Sequence, residues 1–292
     1  MPAPTPLRLA DIGSGPAALL RRQMIGQVRA VFNDQAKGER PVMRSDNALF
    51  DPGTPIWRVH GDVTSMMVGG VAALLLQMLH PAALAGVWDH SNFRDDMLGR
   101  LRRTARFIAV TTYGDRVDAE AAMARVRRIH DHVGGTLADG TPYRAGDPHL
   151  LAWVHVAEAI GFLDAWQKFG SKPLTRPEQD RYFAQFAQIA RALGADPVPE
   201  TRAAADALLL SYRSELRVDA RTREVSRLIL SQPPRSAVAG PVQAMLLQAA
   251  VDLLPPWAAA MHGLPTSRMR RPLVSGTTTG VARALRWAFA TA

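Results

Sequence analysis

The chain has 292 residues, 47% of them hydrophobic, so it can bury a large core, and no shift in composition marks a linker between two domains. It contains no cysteine, which excludes disulfides, iron–sulfur clusters, thiolate metal sites and covalent c-type haem attachment. The net charge of +9 comes almost wholly from arginine, since only Lys37, Lys168 and Lys172 are lysines. Those arginines are scattered along the chain rather than bunched, which argues against a nucleic-acid footprint, although arginine can also anchor the carboxylates of a bound cofactor.

The first residues, Met1 to Pro16, are rich in proline and glycine and read as a flexible N-terminus without an apolar run; a cytoplasmic protein is expected. Strand signals are thin, with Ile56 to His60 the best candidate, whereas helical periodicity recurs throughout, so an all-α fold is expected. In chain order the pattern predicts helices over Ala17–Asn33, Thr64–Leu79, Pro81–Trp88, Met97–Tyr113, Asp118–Val133 and Pro148–Phe169. It continues with Pro177–Leu193, Thr201–Arg213, Ser226–Leu230, Pro241–Leu254 and Thr279–Phe289, the last within a basic C-terminal stretch at 266–292.

Several boundaries carry their own chemistry. Asp147-Pro148 is an N-cap followed by proline, Thr175, Pro177 and Glu178 open the next helix in the same way, and Gly134-Gly135 is read as a left-handed helix end. The uncharged stretch Val63–Trp88 approaches the length that spans a bilayer, but Gly69-Gly70, Gln77 and His80-Pro81 make it read as a buried central helix that stops at the proline.

His130 lies on an apolar stripe with Met123, Val126 and Val133, at spacings of three and four. An imidazole in that setting is either a satisfied core histidine or a ligand. His132 points about 200° away from it and shares no site with it. On Met97–Tyr113, the residues Arg100, Arg103, Thr104 and Phe107 share one sector; they can hold an anion or a polarised oxygen species, or form an exposed basic face. His80 ends an apolar helix before Pro81 and His155 sits beside Leu151, and each fits a core or helix-end histidine as well as a ligand. No phosphate loop, dinucleotide fingerprint or nucleophile elbow is present.

The ordered motifs resemble the MpaB-type oxygenase family over roughly residues 45 to 260. They run Ile56-Trp57-Arg58-Val59-His60-Gly61-Asp62, His80-Pro81, His90-Ser91-x-Phe93, Arg100-Leu101-x-Arg103-Thr104, Val126-x-x-Ile129-His130 and Tyr143-x-Ala145-x-Asp147-Pro148, and end at Leu253-Leu254-Pro255-x-Trp257. The resemblance implies a relative of the latex-clearing rubber oxygenases, an α-helical protein with a globin-like core and a non-covalent haem b. It implies His130 as axial iron ligand, the surrounding apolar residues as the wall for the porphyrin, and Arg100 and Thr104 as pocket residues.

Rubber oxygenases carry a lysine where this chain has Arg103, and a guanidinium has no lone pair for a metal. The position opposite His130 is therefore expected to be open, water-filled or taken by His80 or His155. The implied activity is haem-dependent oxygenation of a small apolar molecule, an isoprenoid or another alkene, with dioxygen and an unidentified electron donor. The alternatives are a haem-binding gas or haem sensor without turnover, and a basic helical protein that binds nucleic acid or a membrane surface through Arg268 to Phe289.

Overall fold

The computed structural model describes residues 15–33, 38–234, 240–266 and 269–290. The expected flexible N-terminus therefore lies almost wholly outside the described residues, as does Arg268. The described residues are 69% helical. The helices are α1 (Pro16–Phe32), α2 (Pro55–His60), α3 (Val63–Gln77), α4 (Pro81–His90), α5 (Met97–Tyr113), α6 (Arg116–His130) and α7 (Pro148–Phe169). After these come α8 (Arg176–Leu193), α9 (Arg202–Ser211), α10 (Ala220–Leu230), α11 (Gly240–Val251), α12 (Pro256–His262) and α13 (Arg271–Phe289). The sheet among the described residues is a single antiparallel hairpin, β1 (Gly134–Thr136) on β2 (Pro142–Arg144), with Gly135 opposite Tyr143.

Helices α3 and α7 form the most extensive pairing in the fold. Both are apolar on nearly every side, the composition of a helix enclosed by neighbours. Each is opened by an aspartate: Asp62 accepts from the Ser65 N–H at 2.8 Å, and Asp147 accepts from the Leu150 N–H at 3.0 Å, as its sequence signature predicts. The two axes cross where glycine meets glycine. A Cβ on Gly69 would lie 2.6 Å from the Gly161 carbonyl oxygen, and one on Gly161 would lie 2.7 Å from the Gly69 oxygen, so only glycine lets the backbones approach this closely.

No single described helix is long and apolar enough to cross a membrane, though two sharply bent pairs, α3 with α4 and α11 with α12, reach that length and composition together.

Three local readings are corrected. Ile56–His60 is helix, not strand: Pro55 occupies its first turn, and Ile56, Trp57, Val59 and His60 are buried together, so tertiary packing overrides a β-branched run of six residues. The His130 helix stops at His130 itself, three residues before the predicted end, and neither Gly134 nor Gly135 adopts positive φ. Those glycines instead admit Tyr143, because a Cβ on Gly134 would meet the Tyr143 carbonyl oxygen at 2.8 Å and one on Gly135 would meet its ring at 3.0 Å. Helix α12 and the hairpin lie outside the sequence prediction. The capping reading at Thr175 holds, since Glu178 accepts from the Thr175 backbone N–H at 2.8 Å.

Candidate functional site

His130 is the last residue of α6 and is half-buried. Its Nδ1 is sealed from solvent and has no hydrogen-bond partner among the described residues. Nε2 makes no hydrogen bond either, yet it is not among the sealed atoms, so it opens onto accessible space. Burial holds this imidazole below its ordinary pKa, against a smaller opposing effect of Asp131, which keeps it neutral with a lone pair to donate.

The residues around His130 divide into packed and unpacked. Met123 is buried in the main core cluster and Phe107 packs against it. Val126 and Val133 are half-buried and join none of the apolar clusters formed by the described residues. Val133 has left the helix and lies against α4, with Cγ1 3.9 Å from where a Cβ on Gly86 would stand. The hairpin is tied to the same helix by Tyr143, whose hydroxyl donates to Asp89 Oδ2 at 3.0 Å. His132 is exposed, with Nδ1 2.7 Å from the Arg128 carbonyl oxygen, and takes no part.

On α5 the predicted sector is divided by its partners. Arg103 is exposed and drawn outward, 3.2 Å from Asn92 Oδ1 and 3.8 Å from Asp96 Oδ2. Thr104 is also exposed, and its hydroxyl turns back on the Arg100 carbonyl oxygen at 3.4 Å. Arg100 is half-buried; burial and then the neighbouring Arg103 charge depress its pKa, while the carboxylate of Glu158 opposes them.

Glu158 is the functional candidate that the sequence reading missed. Between Leu150 and Leu163 of α7 only Val154 and Glu158 keep any exposure, one helical turn apart on one strip. Burial pushes the Glu158 carboxyl up to about 7, against a hydrogen bond from Gln77 and the charge of Arg100. Gln77 in turn donates to the Val154 carbonyl oxygen at 3.1 Å. Arg100 and Glu158 act on each other electrostatically, each charge opposing the effect of burial on the other. A lone acid inside the apolar run Leu150–Phe162 was the signal available for it.

The other two histidines occupy separate surroundings. His80 caps α4, with Nδ1 accepting from the Ala82 N–H at 3.2 Å and Nε2 3.4 Å from Glu215 Oε2, so both of its nitrogens are engaged. His155 stands edge-on to Phe186, 4.8 Å between ring centroids, on the side of α7 that meets α8. Burial pushes it down to about 4, and its Nε2 is sealed without a partner. Among the described residues no three histidine, aspartate or glutamate side chains converge as a metal cage. None of the ten residues singled out from the sequence lines the cleft of about 470 Å³ on the far side of α5.

The architecture is thus a helical protein with a neutral imidazole at the end of α6, half-buried apolar side chains on its stripe, and a half-buried arginine and glutamate on α5 and α7 whose charges act on each other. The chain belongs to the family described as ER-bound oxygenase mpaB/B'/rubber oxygenase, catalytic domain, whose model matches residues 57–288, from α2 through nearly all of α13. The match starts about a dozen residues later than the resemblance read from the motifs and runs on through nearly all of the C-terminal helix. No curated protein and no solved structure matches the chain.

Proposed function

We propose that this member of an oxygenase family is a haem b-dependent oxygenase of a small apolar substrate, an isoprenoid or another alkene, with His130 as the axial iron ligand. The observation that carries the reading is the state of His130: neutral, half-buried, with neither ring nitrogen hydrogen-bonded among the described residues and the half-buried side chains of Val126 and Val133 on the same stripe. One imidazole is donor enough for a porphyrin iron, so His130 would hold the group. The residues therefore fit the group. Bound there, it would supply the binding and activation of dioxygen.

The chain's own residues do the rest. Val126, Val133 and Phe107 present an apolar surface that excludes water and receives an apolar substrate. Arg100 brings a positive charge into a half-buried setting, where a partial negative charge on oxygen is stabilised more strongly than in bulk water. Glu158 balances that charge and, with its pKa near neutrality, can hold or release a proton there. Arg103 is committed to Asn92 and Asp96 and offers no lone pair, so it is not a ligand.

The test is an absorption spectrum of purified, haemin-reconstituted protein, oxidised and reduced, for the unaltered chain and for His130→Ala. The expected result is a Soret band with the unaltered chain that is lost or strongly shifted in His130→Ala and restored by added imidazole. A His130→Ala protein with the unaltered spectrum and occupancy overturns the assignment. Dioxygen uptake that depends on an added terpene or linear alkene then separates an oxygenase from a haem protein without turnover.

A further inference from the structure

A second site lies on the opposite side of α5. At about 100° per residue, Ala105, Arg106, Ala109 and Tyr113 face away from Arg100, Thr104 and Phe107, and these four line a cleft of about 470 Å³ between α1, α5, α13 and the start of α3. That volume falls within the roughly 300–1,000 Å³ typical of small-molecule sites. Val28 and Phe32 of α1 and Leu285 and Phe289 of α13 supply apolar walls, all four half-buried instead of sealed in the core.

The charges around this cleft are unbalanced. Four arginines line it, Arg29, Arg44, Arg106 and Arg286, against one carboxylate among the described residues, Asp62. Asp62 is already engaged: Arg286 donates to its Oδ2 at 2.8 Å, and Ser65 donates to its Oδ1 through both N–H and hydroxyl. His60 adds no negative charge, since burial pushes it down to about 3 and leaves it neutral.

At the exposed rim, Arg44 rests over the Trp57 and Tyr113 rings at 5.7 and 5.4 Å, and Arg106 donates to the neutral carbonyl oxygen of Arg40 at 3.0 Å. Neither has a carboxylate partner among the described residues.

We propose that this cleft binds a single-chain amphiphile with an oxyanion head, a long-chain carboxylate or an alkyl or prenyl phosphate. The tail lies along Phe32, Ile108 and Phe289, and the head is held at the rim by Arg44 and Arg106. Arginine suits either head, because its planar fork of donors matches carboxylate and phosphate oxygens alike. The proposal goes beyond the haem reading and does not rest on it, since the two sites share no side chain.

The test is calorimetric titration of the full-length protein with palmitate, hexadecyl phosphate and hexadecanol, each below its aggregation limit. Both anions are expected to bind at least about tenfold more tightly than the alcohol of equal chain length, the ratio expected from one charge-assisted hydrogen bond. The Arg44→Gln/Arg106→Gln double variant is expected to lower the affinity for the anions to that for the alcohol, and Ala109→Phe, which fills the wall, to remove all three. Equal affinity of the unaltered protein for anion and alcohol, no binding of any of the three, or undiminished palmitate binding by Ala109→Phe overturns the proposal. The first two outcomes need no variant and so do not depend on any substitution folding.

Discussion

Replacing Gly69 with alanine tests the packing that holds α3 against α7, and with it the placement of Gln77, Val154 and Glu158. The added Cβ would lie 2.6 Å from the Gly161 carbonyl oxygen and 2.8 Å from the Phe162 Cα. Both obstacles are backbone of a buried helix, so no flexible side chain can swing aside and the helices must separate. Overpacking of this kind costs about 1–3 kcal/mol, and two backbone obstacles place it at the upper end. Alanine recovers about 0.8–1 kcal/mol through its better helix propensity, which leaves a net loss of about 2 kcal/mol.

In urea unfolding followed by far-ultraviolet circular dichroism, a slope of about 3 kcal/mol per molar turns that loss into a midpoint roughly 0.7 M lower. Gly280→Ala in α13 is the control: nothing lies within 4 Å of its added Cβ, so it should gain up to about 1 kcal/mol. Because Gly161→Ala collides with the same neighbour across the same contact, the double variant should lose about 1 kcal/mol less than the sum of the singles. A Gly69→Ala midpoint within about 0.2 M of the unaltered protein would refute the close-approach argument.

Burial pushes His155 down to about 4 from an ordinary 6.5. Between those values the unfolded chain takes up a proton that the native state refuses, so this histidine's contribution to stability falls, by up to about 1.4 kcal/mol per pH unit, as pH drops. His155→Phe should therefore lose less stability between pH 7 and pH 5 than the unaltered protein, and an identical loss would contradict the buried neutral imidazole. Glu158 has the opposite sign: burial raises it to about 7 from an ordinary 4.5, so the native state keeps a proton the unfolded chain gives up, and its contribution declines as pH rises through that window. Glu158→Gln should be stabilised relative to the unaltered chain more at pH 8 than at pH 5, by thermal unfolding at both values. Asp62→Ala removes the α3 cap and strands Arg286, whose guanidinium also donates to the Phe169 carbonyl oxygen at 3.0 Å. Its cost should be about 3 kcal/mol, and a loss under about 1 kcal/mol would mean the pair is solvated.

Local chemistry made most of the helices legible. Asp147-Pro148, and Thr175 with Glu178, place side-chain acceptors against the first free N–H groups of a helix, an interaction that spans three residues and needs no tertiary partner. The apolar character of α3 and α7 likewise announced buried helices. Ile56–His60 failed because five residues are too few for periodicity to separate helix from strand. The hairpin failed because its glycines answer to Tyr143, which arrives from the opposite strand.

At the candidate site, the order of motifs pointed to His130 and to the α5 sector, and residue spacing separated His130 from His132. Spacing could not say that Arg103 is drawn off to Asn92 and Asp96, that His80 has both nitrogens engaged, or that Glu158 is buried within reach of the Arg100 charge.

The amino-acid order alone therefore determined the all-α class and the caps, since each depends on neighbours within one or two helical turns. Tertiary structure alone decided which polar groups share a space and which are already satisfied. Hydrogen-bond partners and burial are set by residues remote in the chain, such as Asp62 with Arg286 and Arg100 with Glu158, which no pattern of three or four residues can reveal.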